Sequence, residues 1–147
     1  MGDYTTNDYF YMPEVEETPE DGLTLYEEAL NATDNVIHGV YEAHIADDTL
    51  THAESNSVHS NLGASGTITL TLPQDATIGC KFYFVVMAAF ELRINPGALH
   101  GIYINGAKQT DNMYISANAV NESVMLVNDG NGDWVSLFQY GTWTVET

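Results

Sequence analysis

The amino-acid sequence predicts an all-β protein: an antiparallel β-sandwich, of jelly-roll-like or immunoglobulin-like strand order, with an extended N-terminal arm and one short helix. Three observations carry that expectation. Short runs of β-branched and aromatic residues, punctuated by Gly, Asn, Asp and Pro, follow one another from about residue 48 to the end. No long helical pattern separates them, which argues against a parallel α/β sheet. The first sixty residues differ in kind, holding 14 of the 21 acids and none of the three basic residues, Lys81, Arg93 and Lys108.

The arm occupies the beginning of the chain. Tyr4, Tyr9, Phe10, Tyr11 and Met12 are interspersed with acids and followed by Pro13 and Pro19, which disfavour helices and sheet ladders. Aromatic side chains offer large apolar area at low entropic cost, so an arm that displays several of them suits docking onto another surface; folding back on its own core and simple disorder are the alternatives. Thr24 and Glu27 have capping-box spacing, and Leu23, Tyr26 and Leu30 recur at helical intervals, which predicts a helix over Leu23 to Ala32. Val36 to Ile45 alternates weakly and reads as a strand or a connector. Residues 1–47 are therefore expected to be arm and connector, and residues 48–147 the sandwich domain.

Within that domain the clearest strand is Thr67 to Leu72. Its strict alternation puts Ile68, Leu70 and Leu72 on a buried face and the threonines on the other, with Pro73 closing it. Further strands are expected at Asp48 to Thr51, Val58 to Asn61, Lys81 to Ala89, Glu91 to Asn95, Gly101 to Ile104 and Met113 to Ala117. Ser123 to Val127 and Trp134 to Tyr140 flank Asp129-Gly130-Asn131-Gly132-Asp133, a run of turn formers that predicts a hairpin.

Composition narrows the function. A formal net charge of -18 repels phosphate backbones and anionic membranes, so neither nucleic acid nor a membrane is an expected partner. No apolar run reaches the length of a membrane span, and the beginning of the chain lacks the pattern of a secretory signal, which places the protein in a cytosol-like compartment. The single cysteine, Cys80, lies in an apolar run and reads as a buried structural thiol.

Candidate sites are few. Asp129, Asn131 and Asp133 have the oxygen spacing that opens a calcium loop, but the later glutamate is missing and a tight turn explains them better. His38, His44, His52 and His59 are spaced by 6, 8 and 7 residues, which suits neither one helix face nor a zinc knuckle. No nucleophile elbow, no His-Glu-x-x-His and no phosphate-cradling loop occurs. No catalytic residue, cofactor or metal is expected. Trp134 and Trp143 are read as core or subunit-interface anchors, with sugar-stacking platforms as the alternative.

Three segments in order, LTHAES at 50–55, NLGASGTITLTLP at 61–73 and GCKFYFVV at 79–86, are followed by LRINP at 92–96, ESVMLV at 122–127, GDW at 132–134 and GTW at 141–143. This succession, over about residues 48–147, resembles a module of tailed-bacteriophage virion structural proteins. The resemblance implies a head decoration (cement) protein on the capsid surface, or a fibre or receptor-binding module, usually a homotrimer, with no catalytic residues to carry over. For the decoration role, the partners are further copies of the chain and the major capsid protein, gripped by the aromatic arm after assembly in the host cytoplasm.

Overall fold

The computed structural model describes residues 40–147. The aromatic arm residues Tyr4, Tyr9, Phe10, Tyr11 and Met12 and the helix expected at Leu23 to Ala32 lie outside the described residues. Those residues form two β-sheets packed on one core, with a single short 3-10 turn, His52–Glu54. Twelve strands are present: β1 (Tyr41–Ala43), β2 (Asp48–Thr49), β3 (Ser57–Ser60), β4 (Ile68–Thr71), β5 (Lys81–Val85), β6 (Leu92–Asn95), β7 (Ile102–Ile104), β8 (Ala107–Lys108), β9 (Ile115–Ala117), β10 (Ser123–Asn128), β11 (Trp134–Tyr140) and β12 (Thr144–Val145).

The larger sheet has the order β1-β3-β5-β10-β11-β7-β8 and the smaller β12-β9-β6-β4-β2. Strands β1 to β6 alternate between the sheets, and within each sheet successive ones are parallel neighbours: β1, β3 and β5 in one, β2, β4 and β6 in the other. The first half of the body is therefore a two-sheet coil. The second half closes it with antiparallel strands, β10 on β5 and β9 on β6, extended by β11 and β12. The expectation of a wholly antiparallel sandwich is thus corrected. Alternation shows which side chains of a strand face the core, but it carries no information about the direction of the neighbouring strand. The sheet also begins before Asp48, because Tyr41–Ala43 already pairs with Val58–Ser60.

The core lies between the sheets, and inward residues of both supply it: Phe82, Phe84, Val124, Leu126, Trp134, Ile102 and Ile104 from the larger, Ile68, Leu70, Leu92, Ile94 and Ile115 from the smaller. Burying such side chains stabilises by roughly 1.5–3 kcal/mol each. Cys80 is buried in the same core, and that burial raises its thiol pKa.

One polar residue organises a loop around this core. Asn61 is fully buried; its Oδ1 accepts from the N–H groups of Met87 and Ala88 at 2.7 and 2.9 Å, and its Nδ2 donates to the carbonyls of Ala88 and Phe90 at 3.0 and 2.9 Å. The asparagine of the N-x-G-A segment thereby ties the end of β3 to the loop that leaves β5. Gly63, at φ +85, supplies the left-handed turn that follows it.

Candidate functional site

The two sheets present very different outer faces. On the smaller sheet, register places Thr49, Thr71 and Asn95 in one outward row and Thr69, Arg93, Ser116 and Thr144 in the next. Those rows are polar, and the Arg93 guanidinium lies 4.6 Å over the ring of Tyr114. On the larger sheet, one outward row reads Tyr41, Val58, Tyr83, Met125, Phe138 across β1, β3, β5, β10 and β11. A second reads Lys81, Val127, Val135, Tyr103, Lys108, and a third Ala43, Ser60, Val85, Ser123, Tyr140. These rows hold no carboxylate and carry two of the chain's three basic residues, Lys81 and Lys108; at the border of the face Lys108 pairs with Asp111 at 3.1 Å and Asp133 at 2.7 Å.

Five strands at about 4.8 Å spacing make the first row roughly 19 Å wide. Tyr41, Phe138 and Tyr140 are each more than half exposed. Among the described residues, strand β11 pairs with β7 only through Trp134 and Val135, so its stretch from Ser136 to Tyr140 has a neighbour there, β10, on one side alone. Leu137 sits at the register shift in the pairing with β10 and is 65% exposed. An aromatic, partly unpaired strand at the border of an apolar face is the kind of surface that folded proteins cover with a partner.

Trp134 and Trp143 are not part of that face. Both are buried, at 0% and 2% exposure; Trp134 packs against Phe82 with ring centroids 5.7 Å apart, and Trp143 Nε1 donates to the carbonyl of Ser123 at 3.1 Å. Of the placements expected for the two indoles, core, subunit-interface anchor or sugar platform, both take the core. The sequence signal, an indole after a glycine turn, is the same in either case, and only the pairing of β11 with β10 and β7 turns Trp134 inward.

The Asp129–Asp133 segment is a hairpin turn, with Gly130 and Gly132 at φ +87 and +101. The Asp129 carboxylate accepts from the N–H of Asn131, while the Asp133 carboxylate accepts from the N–H of Gly101 and pairs with Lys108 at 2.7 Å. The ammonium of Lys108 and the Gly101 N–H outweigh partial burial and hold Asp133 below the usual carboxylate range. The two carboxylates serve different partners and do not form one donor set.

The histidines behave otherwise. His38 lies outside the described residues, and His52 is exposed. His44 and His59 are brought together by the parallel pairing of β1 with β3: His44 Nε2 lies 2.9 Å from His59 Nδ1, and both rings are buried. His44 Nδ1 lies 3.2 Å from Asp48 Oδ2, His59 Nε2 2.6 Å from Ser57 Oγ, and His59 Nδ1 3.9 Å from Glu42 Oε2. Burial, reinforced by His44, pushes the His59 pKa down to about 4. Among the described residues, Glu42, His44 and His59 are the set of three whose ligating atoms lie within 4.8 Å of one another. Local spacing could not reveal them, because their proximity depends on one winding of the coil.

Ser57 beside His59 has the reach of a nucleophile and its base. Its hydroxyl, however, donates to the carbonyl of Glu54, and the residue is 2% exposed. The arrangement orients an imidazole rather than activating an alcohol. No protein-family model matches the chain, and no curated protein matches it either.

Proposed function

We propose that this chain is a non-catalytic structural subunit of a tailed-phage virion, a head decoration protein that assembles with copies of itself through the outer face of its larger sheet. The single observation that carries this reading is the contrast between the two outer faces, one largely polar and the other aromatic with no carboxylate in its rows. In a chain of charge -18, acidic surfaces repel one another, and the acid-free face is where copies can approach without that cost. A threefold arrangement, with the arm residues Tyr4, Tyr9, Phe10, Tyr11 and Met12 gripping the major capsid protein, combines modest contacts into high avidity. Finer strand order enters the same reading: the coil of β1 to β6 is closer to a wound sandwich than to a jelly roll or an immunoglobulin fold, which are built on antiparallel connections.

The test has two parts. Sedimentation of the purified chain should show a trimer, and the double variant Met125→Asp/Phe138→Asp, placing two carboxylates on adjacent strands of the apolar face, should sediment as a folded monomer. Labelled antibody should decorate phage heads regularly, and deletion of residues 1–20 should abolish that occupancy while the domain still folds. A monomeric parent protein, or label confined to the tail, would overturn the reading.

A second reading, a receptor-binding fibre module, draws on the exposed aromatic rings. With both tryptophans buried, a sugar platform among the described residues would draw on exposed rings such as Tyr41, Phe138 and Tyr140. Saturable binding on a glycan array, lost in Tyr140→Ala, would favour it.

A further inference from the structure

Hydrogen-bond accounting around the two buried histidines leads to a site for a cation. The carbonyl of Glu54 can only accept, so the Ser57 hydroxyl spends its proton there, and His59 Nε2 must carry a hydrogen to meet Ser57 Oγ at 2.6 Å. The Asp48 carboxylate likewise only accepts, so His44 Nδ1 carries the hydrogen at that end. Each neutral imidazole has one N–H. Both are thus committed to the far side of the pair. The near atoms, His44 Nε2 and His59 Nδ1, are then two lone pairs 2.9 Å apart, with the Glu42 carboxylate beside them. With both N–H groups held at Ser57 and Asp48, a positive charge between the near atoms, an extra proton or a metal ion, satisfies the pair.

We propose that Glu42 Oε2, His44 Nε2 and His59 Nδ1 form a three-ligand site for a divalent transition-metal ion of the zinc type. The donor set, two imidazoles and one carboxylate, is that of many zinc sites with an open fourth position. Tetrahedral coordination at 2.0–2.1 Å bond lengths sets donor atoms about 3.3–3.4 Å apart. The histidine nitrogens therefore open by roughly half an ångström from 2.9 Å, and the Glu42 oxygen closes by a similar amount from 3.9 Å. The second layer is already in place. Ligating histidines characteristically donate their other N–H to a carboxylate or another acceptor, as His44 does to Asp48 and His59 to Ser57.

Access is on the Glu42 side. That side chain is 42% exposed, and it borders a cavity of about 170 Å³ that Val40, Ala53, Glu54, Ser55 and Ser57 also line. Water can enter there as the fourth ligand. Glu42 comes from β1 and His44 follows it directly, whereas His59 is in β3; the ion would clamp the outermost strand of the larger sheet to its neighbour. This site stands independently of the virion reading.

The experiment uses the full chain, stripped with EDTA and dialysed, then titrated with zinc chloride in a calorimeter and weighed by native mass spectrometry. One ion per chain is expected, and cobalt(II) in its place should give the intense visible bands of a four-coordinate centre. Glu42→Gln, at a partly exposed position, should keep the fold and weaken zinc at least tenfold, and Asp48→Asn, which loosens His44, by ten- to a hundredfold. Asp129→Asn, remote from the site, should leave the affinity unchanged. Zinc that fails to bind the stripped chain, or that binds Glu42→Gln and His44→Gln as tightly as the parent with circular dichroism unchanged, would overturn the proposal and leave the proton as the shared charge.

Discussion

Replacing Asn61 by alanine tests how the body is held together at the end of β3. The amide makes four hydrogen bonds of 2.7–3.0 Å to the Met87–Phe90 loop, and no part of the residue is exposed. At about 0.5–1.5 kcal/mol net per bond, their loss amounts to roughly 2–6 kcal/mol. Met87 and Phe90 are exposed, so water can reach part of the loop and moderate the cost, which places the expectation near the middle, at about 4 kcal/mol. That is a large fraction of the roughly 5–15 kcal/mol available to a domain. The backbone bond from Ala64 N–H to the Asn61 carbonyl survives the substitution, so the effect isolates the side chain. Urea unfolding followed by tryptophan fluorescence measures it, since both indoles are buried. Asn61→Asp should be at least as harmful at neutral pH, because its carboxylate would face two carbonyl oxygens. A loss below about 1 kcal/mol with an unchanged denaturant slope would refute the stapling argument.

The two tryptophans should respond differently to the same change. Trp134 Nε1 is buried without a hydrogen-bond partner among the described residues, so Trp134→Phe removes an orphan donor and should cost within about 1 kcal/mol. Trp143→Phe breaks the bond to the Ser123 carbonyl and should cost about 1–2 kcal/mol more; equal losses in thermal melts would contradict the assignment. Glu122 accepts from the N–H groups of Thr142, Ala119 and Asn118, which together hold its pKa below the usual carboxylate value. A depressed folded-state value contributes stability that is present above the ordinary carboxylate pKa and is lost as pH falls through the folded one. An NMR titration of the Glu122 carboxyl should therefore show a midpoint below 4.5, and one at or above it would refute the reading. Self-association through the acid-free face should strengthen with added salt, which screens acidic repulsion between copies, whereas docking onto a basic surface would weaken; sedimentation at rising sodium chloride separates them.

Much of the strand content was legible because it rests on local rules. Ile68, Leu70 and Leu72 are buried and Thr69 and Thr71 are not, as strict alternation requires. The β10–β11 hairpin forms around Gly130 and Gly132, whose positive φ the turn demands. The two-residue strands β8 and β12 left no such mark, and β1 left only the weak alternation of Val36 to Ile45. The parallel winding escaped because a strand's pattern fixes its own faces but not its neighbour's direction. His44 and His59 were visible as histidines and invisible as a pair: fifteen residues of chain, passing through the other sheet, separate them, and no local spacing encodes that return.

The acid-free face follows from the same winding. Each strand contributes one or a few outward residues, such as Val58, Tyr83 and Met125, and singly none is unusual on a protein surface. Register makes them one surface: parallel pairing sets Tyr41, Val58 and Tyr83 side by side, and antiparallel pairing carries the row on to Met125 and Phe138. Solubility alone would favour acids there, as it does elsewhere on a chain with 21 of them, and the opposite outer face shows that threonine, serine and asparagine serve these strands equally well. On the proposed reading, burial against further copies of the chain is the reason this face of the described residues keeps aromatic rings and no carboxylate in its rows.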